Sequence, residues 1–407
     1  MVEPIKVLIV EDSPTVSRIL TNLIEADPQL EVVGVAGDGA EAIRMTHRLR
    51  PNIITMDVNM PRMSGLEATE YIMAHQPTPI LVLTAFGKHD LDLSFKMLSA
   101  GALEFIEKPD ALELARQGDH LLSRIKLLAR IKVITHPRAK NRVFNDASVK
   151  PPSPPIAPAA PTPPPFKMPV PMPASQRPTI KISQSSEAAS YTPPVPVSRP
   201  PTPSKELLNR RFQVVGIAAS TGGPPALARL LRELRPDFPV PIFVVQHIPV
   251  GFSRGLADWL GSEIRLKVRQ GEEGEKPVPG TVYLPADDRH LTFNKLGRIH
   301  LGTQADRFGL RPNADNTFFS MAEVWPGETL AVILTGMGRD GTEGLKKLHE
   351  LNGYNIAQDE ATSVIFGMPK AAIDAGVIHQ VLPLQHMAPF LNQVFRPAEP
   401  TWIARNG

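Results

Sequence analysis

Phe212-Gln213-Val214-Val215-Gly216-Ile217-Ala218-Ala219-Ser220-Thr221-Gly222-Gly223 is a short apolar run that ends in small residues and presents a hydroxyl. An apolar run of this length, closed by glycines, reads as a buried parallel strand turning tightly into a helix. Ser220 then stands at the carboxyl end of a strand, just before a helix N-terminus, where ligands of open α/β sheets bind. Two uses suit it there. It is a nucleophile whose base and orienting acid come from elsewhere in the chain, or, with Thr221, it caps the helix beginning near Pro224.

The chain around this stretch keeps alternating. Pro225 to Leu234 reads as a helix, Pro241 to Val245 as a strand ending at Gln246-His247, and Phe252 to Leu260 as a helix. Strand-like segments come next around Ile264 to Val268, Thr281 to Leu284 and His290 to Phe293, with a small antiparallel insertion expected near 264–300. Thr317 to Met321 belongs to a helix, Leu330 to Leu334 is a strand running into Thr335-Gly336-Met337-Gly338-Arg339-Asp340-Gly341, and Thr342 to Leu351 is the next helix. Asn355 to Gln358, Lys370 to Asp374 and His379 to Leu382 complete the pattern as strand, helix and strand. A parallel α/β domain is expected over 210–396, with a tail at 397–407.

A serine hydroxyl needs a base within hydrogen-bond reach. His247 directly follows a strongly apolar strand, and Asp340 follows the strand at 330–334 after a glycine-rich turn, so both fall at the edge that holds Ser220. His290, near Asp287 and Asp288, and His300 are competing bases without such a strand before them. Gly222 and Gly223 permit a tight turn, and Gly336, Gly338 and Gly341 allow amides to face an oxyanion; alternatively the second group merely turns the chain into a helix capped by Asp340 or Thr342. A phosphate-cradling loop is disfavoured, because Gly216 to Gly223 lacks the Gly-x-Gly-x-x-Gly spacing and no lysine follows the glycines. Ala218 two residues before the serine also breaks the Gly-x-Ser-x-Gly elbow.

Residues 1–135 alternate on a smaller scale. Apolar strands at Lys6 to Val10, Glu31 to Ala36, Ile53 to Met56, Ile80 to Leu83 and Glu104 to Ile106 are separated by helical stretches, and Leu112 to Ile131 reads as a long final helix. Together they predict a five-stranded parallel sheet with helices on both faces. Glu11 and Asp12 follow the first strand, Asp57 the third, Thr84 the fourth and Lys108 the fifth, all at one rim. Carboxylates gathered in this way repel one another unless a cation sits among them, and Mg²⁺ suits such oxygen ligands. The site would hold a phosphoryl group on Asp57, neutralised by the metal and Lys108, with Thr84 donating a hydrogen bond. Any one of these residues alone would read as a solvated acidic rim.

Between these regions the composition breaks. From Pro151 to Ser204, 19 of 54 positions are proline, so 136–209 reads as a semi-rigid tether. The whole chain of 407 residues carries a formal charge of only +3, with no dense Lys/Arg cluster to predict a nucleic-acid footprint. It has no cysteine, which excludes disulfides, thiolate metal sites and cysteine catalysis. No run approaches bilayer length and no signal-like start precedes Ile5, so a cytoplasmic protein without direct membrane insertion is expected.

These motifs carry two resemblances. Glu11, Asp12, Asp57, the Met60-Pro61 turn with Gly65, Thr84 and Lys108-Pro109 resemble the receiver domain of bacterial two-component response regulators. That likeness implies phosphorylation of Asp57 by a histidine kinase, a metal held by Glu11, Asp12 and Asp57, an aromatic switch at Phe105 and a cis bond before Pro109. Gly216 to Gly223, His247-Ile248-Pro249 with Gly251-Phe252, and Leu334 to Gly341 resemble the chemotaxis receptor methylesterases of the CheB family. So do Arg311-Pro312 with Asp315, Ala357 to Thr362, and Phe366-Gly367-Met368-Pro369.

The second likeness implies that Ser220 is the nucleophile, His247 the general acid and base, and Asp340 the orienting carboxylate. Met337 or an amide beside it would stabilise the oxyanion, with Thr221 in support. Glutamyl methyl esters on chemoreceptor helices would be the substrates, with glutamine deamidation as a second activity and no cofactor for the ester chemistry. A CheA-like chemotaxis kinase is the implied phosphodonor, and a monomer is expected. The family's receiver domain covers the catalytic edge until phosphorylated, whereas the tether here is longer and richer in proline than is typical. Pro285 to His290 also lacks the glycine expected in that turn. A phosphorylation-gated scaffold without hydrolytic activity is the alternative, and the Ser220, His247, Asp340 set speaks against it.

Overall fold

The computed structural model describes residues 3–84, 88–108, 114–131, 133, 201–304 and 310–396. The first part runs β1 (Ile5–Val10), α1 (Pro14–Glu25), β2 (Leu30–Ala36), α2 (Gly39–Leu49), β3 (Ile53–Asp57), α3 (Gly65–His75), β4 (Ile80–Thr84), α4 (Lys88–Ser99), β5 (Glu104–Glu107) and α5 (Leu114–Leu128). Its strands pair in parallel in the order β2-β1-β3-β4-β5. β3 and β4 are buried along their whole length, as strands covered on both faces must be. Helix starts are written locally: Asp38 accepts from the Glu41 amide at 2.7 Å, and Ser64 and Glu67 form a reciprocal capping box. Strand order reverses between β1 and β3, opening a crevice at their carboxyl ends. Pro109 lies outside the described residues.

The second part runs α6 (Lys205–Leu208), β6 (Val214–Ala219), α7 (Gly223–Arg232), β7 (Ile242–Gln246), α8 (Ser253–Glu263), β8 (Lys267–Gln270), β9 (Thr281–Leu284), β10 (His290–Phe293) and β11 (Ile299–Gly302). It continues through α9 (Ala314–Val324), β12 (Thr329–Ile333), α10 (Thr342–Glu350), β13 (Tyr354–Gln358), α11 (Met368–Asp374), β14 (Gln380–Leu382) and α12 (Leu384–Val394). Seven strands form a parallel sheet in the order β14-β13-β12-β6-β7-β9-β8. β6 lies between β12 and β7, and every one of its residues is buried. From β6 the chain first builds one side of the sheet and then the other, so the topological switch falls where β6 meets β12.

Three features differ from the sequence expectation. The antiparallel insertion is confined to β10 and β11, while β8 pairs with β9, and β9 with β7, in parallel. The connection 271–280 is too long for a tight hairpin, and its excursion, tied by Glu275 to Arg269, brings the chain back to start a parallel strand. A short helix, α6, lies inside the stretch read as tether, and its Leu207 is buried. α12 has no counterpart in the sequence expectation, since Pro389 interrupts its helical pattern, yet the helix packs on α7 and buries Leu384, Met387, Phe390 and Leu391.

The two sheets and their helices belong to one compact unit. α4 packs against α7 and α8. Phe95 of α4 stacks on Trp259 of α8 with ring centroids 5.4 Å apart, and Phe105 of β5 stacks on Phe252 at 4.9 Å. Stacked pairs of this kind add about 0.5–1.5 kcal/mol each beyond the area they bury.

Candidate active site

Ser220 is the first residue beyond β6. Its amide donates to the Thr335 carbonyl at 3.0 Å, and its carbonyl accepts from the Gly223 amide at 2.7 Å, closing the turn into α7. Gly222 takes φ +75°, a left-handed conformation that side chains other than glycine's rarely adopt. Neither Ser220 nor Thr221 caps α7, which starts on Gly222 without a side-chain cap, so the alternative use for the serine is absent. His247 extends the β6–β7 ladder by one bond, its amide donating to the Ala219 carbonyl at 3.0 Å. Beyond this point Ser220 and His247 line one cavity of about 480 Å³, together with Thr221, Arg311 and Met337.

His247 Nε2 meets Asp340 Oδ2 at 2.6 Å. Asp340 is buried and saturated with donors: Oδ2 also accepts the Ala314 amide at 2.7 Å, and Oδ1 accepts the amides of Asp315 at 3.1 Å and Gly341 at 2.9 Å. Burial works to raise its pKa, but the His247 contact and the backbone amides outweigh it and hold the carboxylate below its usual value. Two of those amides open α9. Asp315, in the first turn of that helix, in turn accepts the Gly344 amide of α10 at 2.7 Å. A carboxylate thus meets amides at each of two helix N-termini, Asp340 those that open α9 and Asp315 one in the first turn of α10, where the helix dipole favours negative charge. Asp315 has fewer donors than Asp340, and burial, with the nearby charges of Asp340 and Glu343, pushes its pKa up to about 6.

The competing histidines lie elsewhere. His290 is buried on β10, with Nε2 on the Gln304 carbonyl at 2.7 Å, and His300 is exposed beside Glu273. Neither lines the Ser220 cavity. No hydrogen bond joins the Ser220 hydroxyl to His247 among the described residues, although catalytic contacts of this kind commonly tighten only on substrate binding. Of the glycine amides offered for an oxyanion, that of Gly336 is committed to the Ile365 carbonyl at 3.0 Å and that of Gly341 to Asp340.

At the other rim, ligand atoms of Glu11, Asp12 and Asp57 lie within 4.8 Å of one another. Lys108 Nζ stands 2.8 Å from both Glu11 Oε2 and Asp57 Oδ2. Burial raises the pKa of Asp57 and of Glu11 despite the lysine; it works against the Lys108 charge, but the two carboxylates raise that pKa overall. Three hard oxygen donors, with Glu11 and Asp57 buried and all three within reach of one point, fit a divalent cation. Thr84 is fully buried, and its carbonyl accepts the Lys108 amide at 2.8 Å.

The CheB methylesterase family model matches residues 215–391 and the response regulator receiver domain matches residues 7–117. Protein-glutamate methylesterase/protein-glutamine glutaminase 4 of Myxococcus xanthus is 41% identical over 97% of this chain and 98% of its own length. The chain belongs to the CheB family of protein-glutamate methylesterases/protein-glutamine glutaminases. A second relative so named, from Anaeromyxobacter dehalogenans, is 38% identical over 97% of the chain and 98% of its own. The CheB methylesterase catalytic domain of Thermotoga maritima is 41% identical, covering 44% of this chain and 97% of that one, with a TM-score of 0.43. This CheB-family chain is a hydrolase joined to a receiver domain of two-component signalling.

One residue at the CheB-family site was not legible in sequence. Arg124, on α5 of the receiver, donates from Nη2 to Thr221 Oγ1 at 2.7 Å and from Nη1 to Met337 Sδ at 3.2 Å. The same guanidinium pairs with Glu104 through Nε at 2.8 Å and Nη2 at 2.6 Å. Thr221 and Met337, the two residues read as supporting the oxyanion, are therefore occupied by the receiver. A lone arginine on an amphipathic helix carries no mark of a partner 97 residues away.

Proposed function

We propose that this chain hydrolyses glutamate methyl esters on the cytoplasmic helices of chemoreceptors, releasing methanol, and deamidates receptor glutamines by the same route. Ser220 is the nucleophile, His247 the general base and then acid, and Asp340 the orienting carboxylate. The observation that carries this reading is the 2.6 Å contact of His247 with Asp340 beside the cavity that Ser220 lines.

With an ionised carboxylate on Nε2, the imidazole keeps its proton there and presents Nδ1 as the base. Ser220 Oγ attacks the ester carbonyl as Nδ1 takes its proton, and the imidazolium then protonates the departing methoxide. Water, deprotonated by the same nitrogen, attacks the acyl-enzyme and frees glutamate, and the proton returns to Ser220. An amide substrate takes the same course with ammonia leaving. Met337, or an amide beside it, stabilises the oxyanion with Thr221 in support, once Arg124 has withdrawn.

In the receiver, Asp57 accepts a phosphoryl group from a CheA-like histidine kinase. Glu11, Asp12 and Asp57 would hold Mg²⁺, which when bound neutralises charge on the phosphoryl oxygens. Thr84, Phe105 and Lys108 form the switch, and Phe105 reaches the catalytic part through Phe252, five residues after His247. The division is receiver 1–135, tether 136–209, catalytic domain 210–396 and tail 397–407, in a cytoplasmic monomer; among the described residues no helix is long and apolar enough to cross a membrane. Methanol release from methylated receptor membranes tests the reading: the full chain liberates it and Ser220→Ala does not, and undiminished release by that variant would overturn the assignment.

A further inference from the structure

We infer that Gln246 is a positioning residue for this reaction, a brace that fixes the backbone of the nucleophile and of the base relative to each other. The inference rests on the proposed roles of Ser220 and His247. Gln246 is only 3% exposed, and its Nε2 donates to two carbonyls at once: that of Ser220 at 2.9 Å and that of His247 at 2.8 Å. Because both partners are acceptors, the amide has one allowed orientation; the flipped form would set Oε1 against two carbonyl oxygens.

The position explains why a brace is needed. Ala219 and Gln246 are the last paired residues of β6 and β7, and beyond the His247 amide the backbone ladder ends. Ser220 and His247 are the first residues past the last β6–β7 pair, and they lead to different helices, α7 and α8. The Gln246 side chain supplies the cross-link that the backbone no longer makes. Its own Oε1 is buried without a donor, at the place where a Cβ on Gly223 would come within 1.9 Å. A buried acceptor left unpaired is a cost, and here it accompanies a glycine that makes room for the amide. The Ser220 carbonyl receives the Gly223 amide and the Gln246 amide together, so the turn after the nucleophile and the strand before the base are fixed at one oxygen.

The test compares the full-length wild type with Gln246→Met, which keeps the side chain's length and removes both donors, using Ser220→Ala as control. Methanol release from methylated receptor membranes gives kcat and KM, and the rate of adduct formation at Ser220 with a fluorophosphonate reports the nucleophile alone. Gln246→Met is expected to lower kcat and the adduct rate about 10- to 100-fold, the scale of a misplacement near 1 Å, with KM within twofold of wild type. Rates are expressed per folded molecule from the thermal unfolding transition. A variant whose kcat stays within twofold of wild type, or whose loss lies entirely in KM, overturns the inference. If Gln246→Met does not fold, Gly223→Ala tests the same contact from the other side, with a fall in kcat supporting the brace and an unchanged kcat overturning it. Activity surviving in Ser220→Ala would instead overturn the underlying assignment of the nucleophile.

Discussion

The two carboxyl edges of this molecule solve opposite electrostatic problems with the same scaffold. At each, a parallel sheet reverses its strand order and loops deliver acidic groups to a crevice. In the receiver, Glu11 and Asp57 share one lysine, and burial wins, so both carboxyls are raised above their ordinary values. In the esterase, Asp340 is buried as well, yet an imidazole and three backbone amides surround it and hold its pKa down. The donors aimed at Asp340 outweigh its burial, whereas those aimed at Asp57 and Glu11 do not. Carboxyls raised by burial favour an added cation, whereas the lowered Asp340 favours the ionised form.

The strongest challenge to this contrast is Asp340→Asn. It removes the anion that fixes the imidazole proton, and kcat for methanol release is expected to fall about 10³- to 10⁴-fold, as in other serine, histidine, aspartate relays. A loss under tenfold would mean that the donor-rich carboxylate does not orient His247.

Asp315 sharpens the comparison within the esterase, because it sits beside Asp340 with fewer donors and a pKa of about 6. Its folded pKa lies above the ordinary 3.8, so the folded state binds this proton more tightly than the unfolded one. Its contribution to stability is therefore complete below pH 3.8 and lost as pH rises through about 6. Asp315→Asn keeps an acceptor for the Gly344 amide without the charge. Denaturant unfolding should show the variant more stable by about 1–3 kcal/mol at pH 7.5, with the difference vanishing toward pH 4. A pH-independent difference would count against the assigned protonation.

Two smaller effects test how the rims communicate. Arg124→Ala removes the receiver's polar hold on Thr221 and Met337, and the unphosphorylated full chain should release methanol up to about tenfold faster, equivalent to about 1.4 kcal/mol between two domain arrangements. An unchanged rate would show that the contact does not restrain the esterase. Asp57→Ala should abolish the gain produced by a small phosphoryl donor, an effect bounded by the same interdomain energy. A retained gain would place control outside the receiver rim.

Strand ends were the most legible part of this sequence. Uninterrupted apolar runs announce buried parallel strands, and the residues just past such a run lie at the carboxyl edge, which gathers Ser220, His247 and Asp340 at one place. The same rule gathered Glu11, Asp57, Thr84 and Lys108. Sequence failed where meaning depends on a partner outside the local pattern. Gln246 reads only as the polar end of a strand, Asp315 only as part of a family-like motif with Arg311-Pro312, and Arg124 only as one position of the long helix from Leu112 to Ile131. The parallel return of β8 and β9 was hidden because strand patterns do not encode direction.

Arg124 also bears on what the contact between receiver and esterase gives up when it opens. Its bidentate partner Glu104 belongs to the same domain and travels with it, so separation never strands the guanidinium in a dry environment without a counter-ion. Only one hydroxyl acceptor and one thioether contact are surrendered, both readily exchanged for water. A restraint built this way gives up no ion pair when it opens, so the arginine keeps its counter-ion whether or not it touches the esterase.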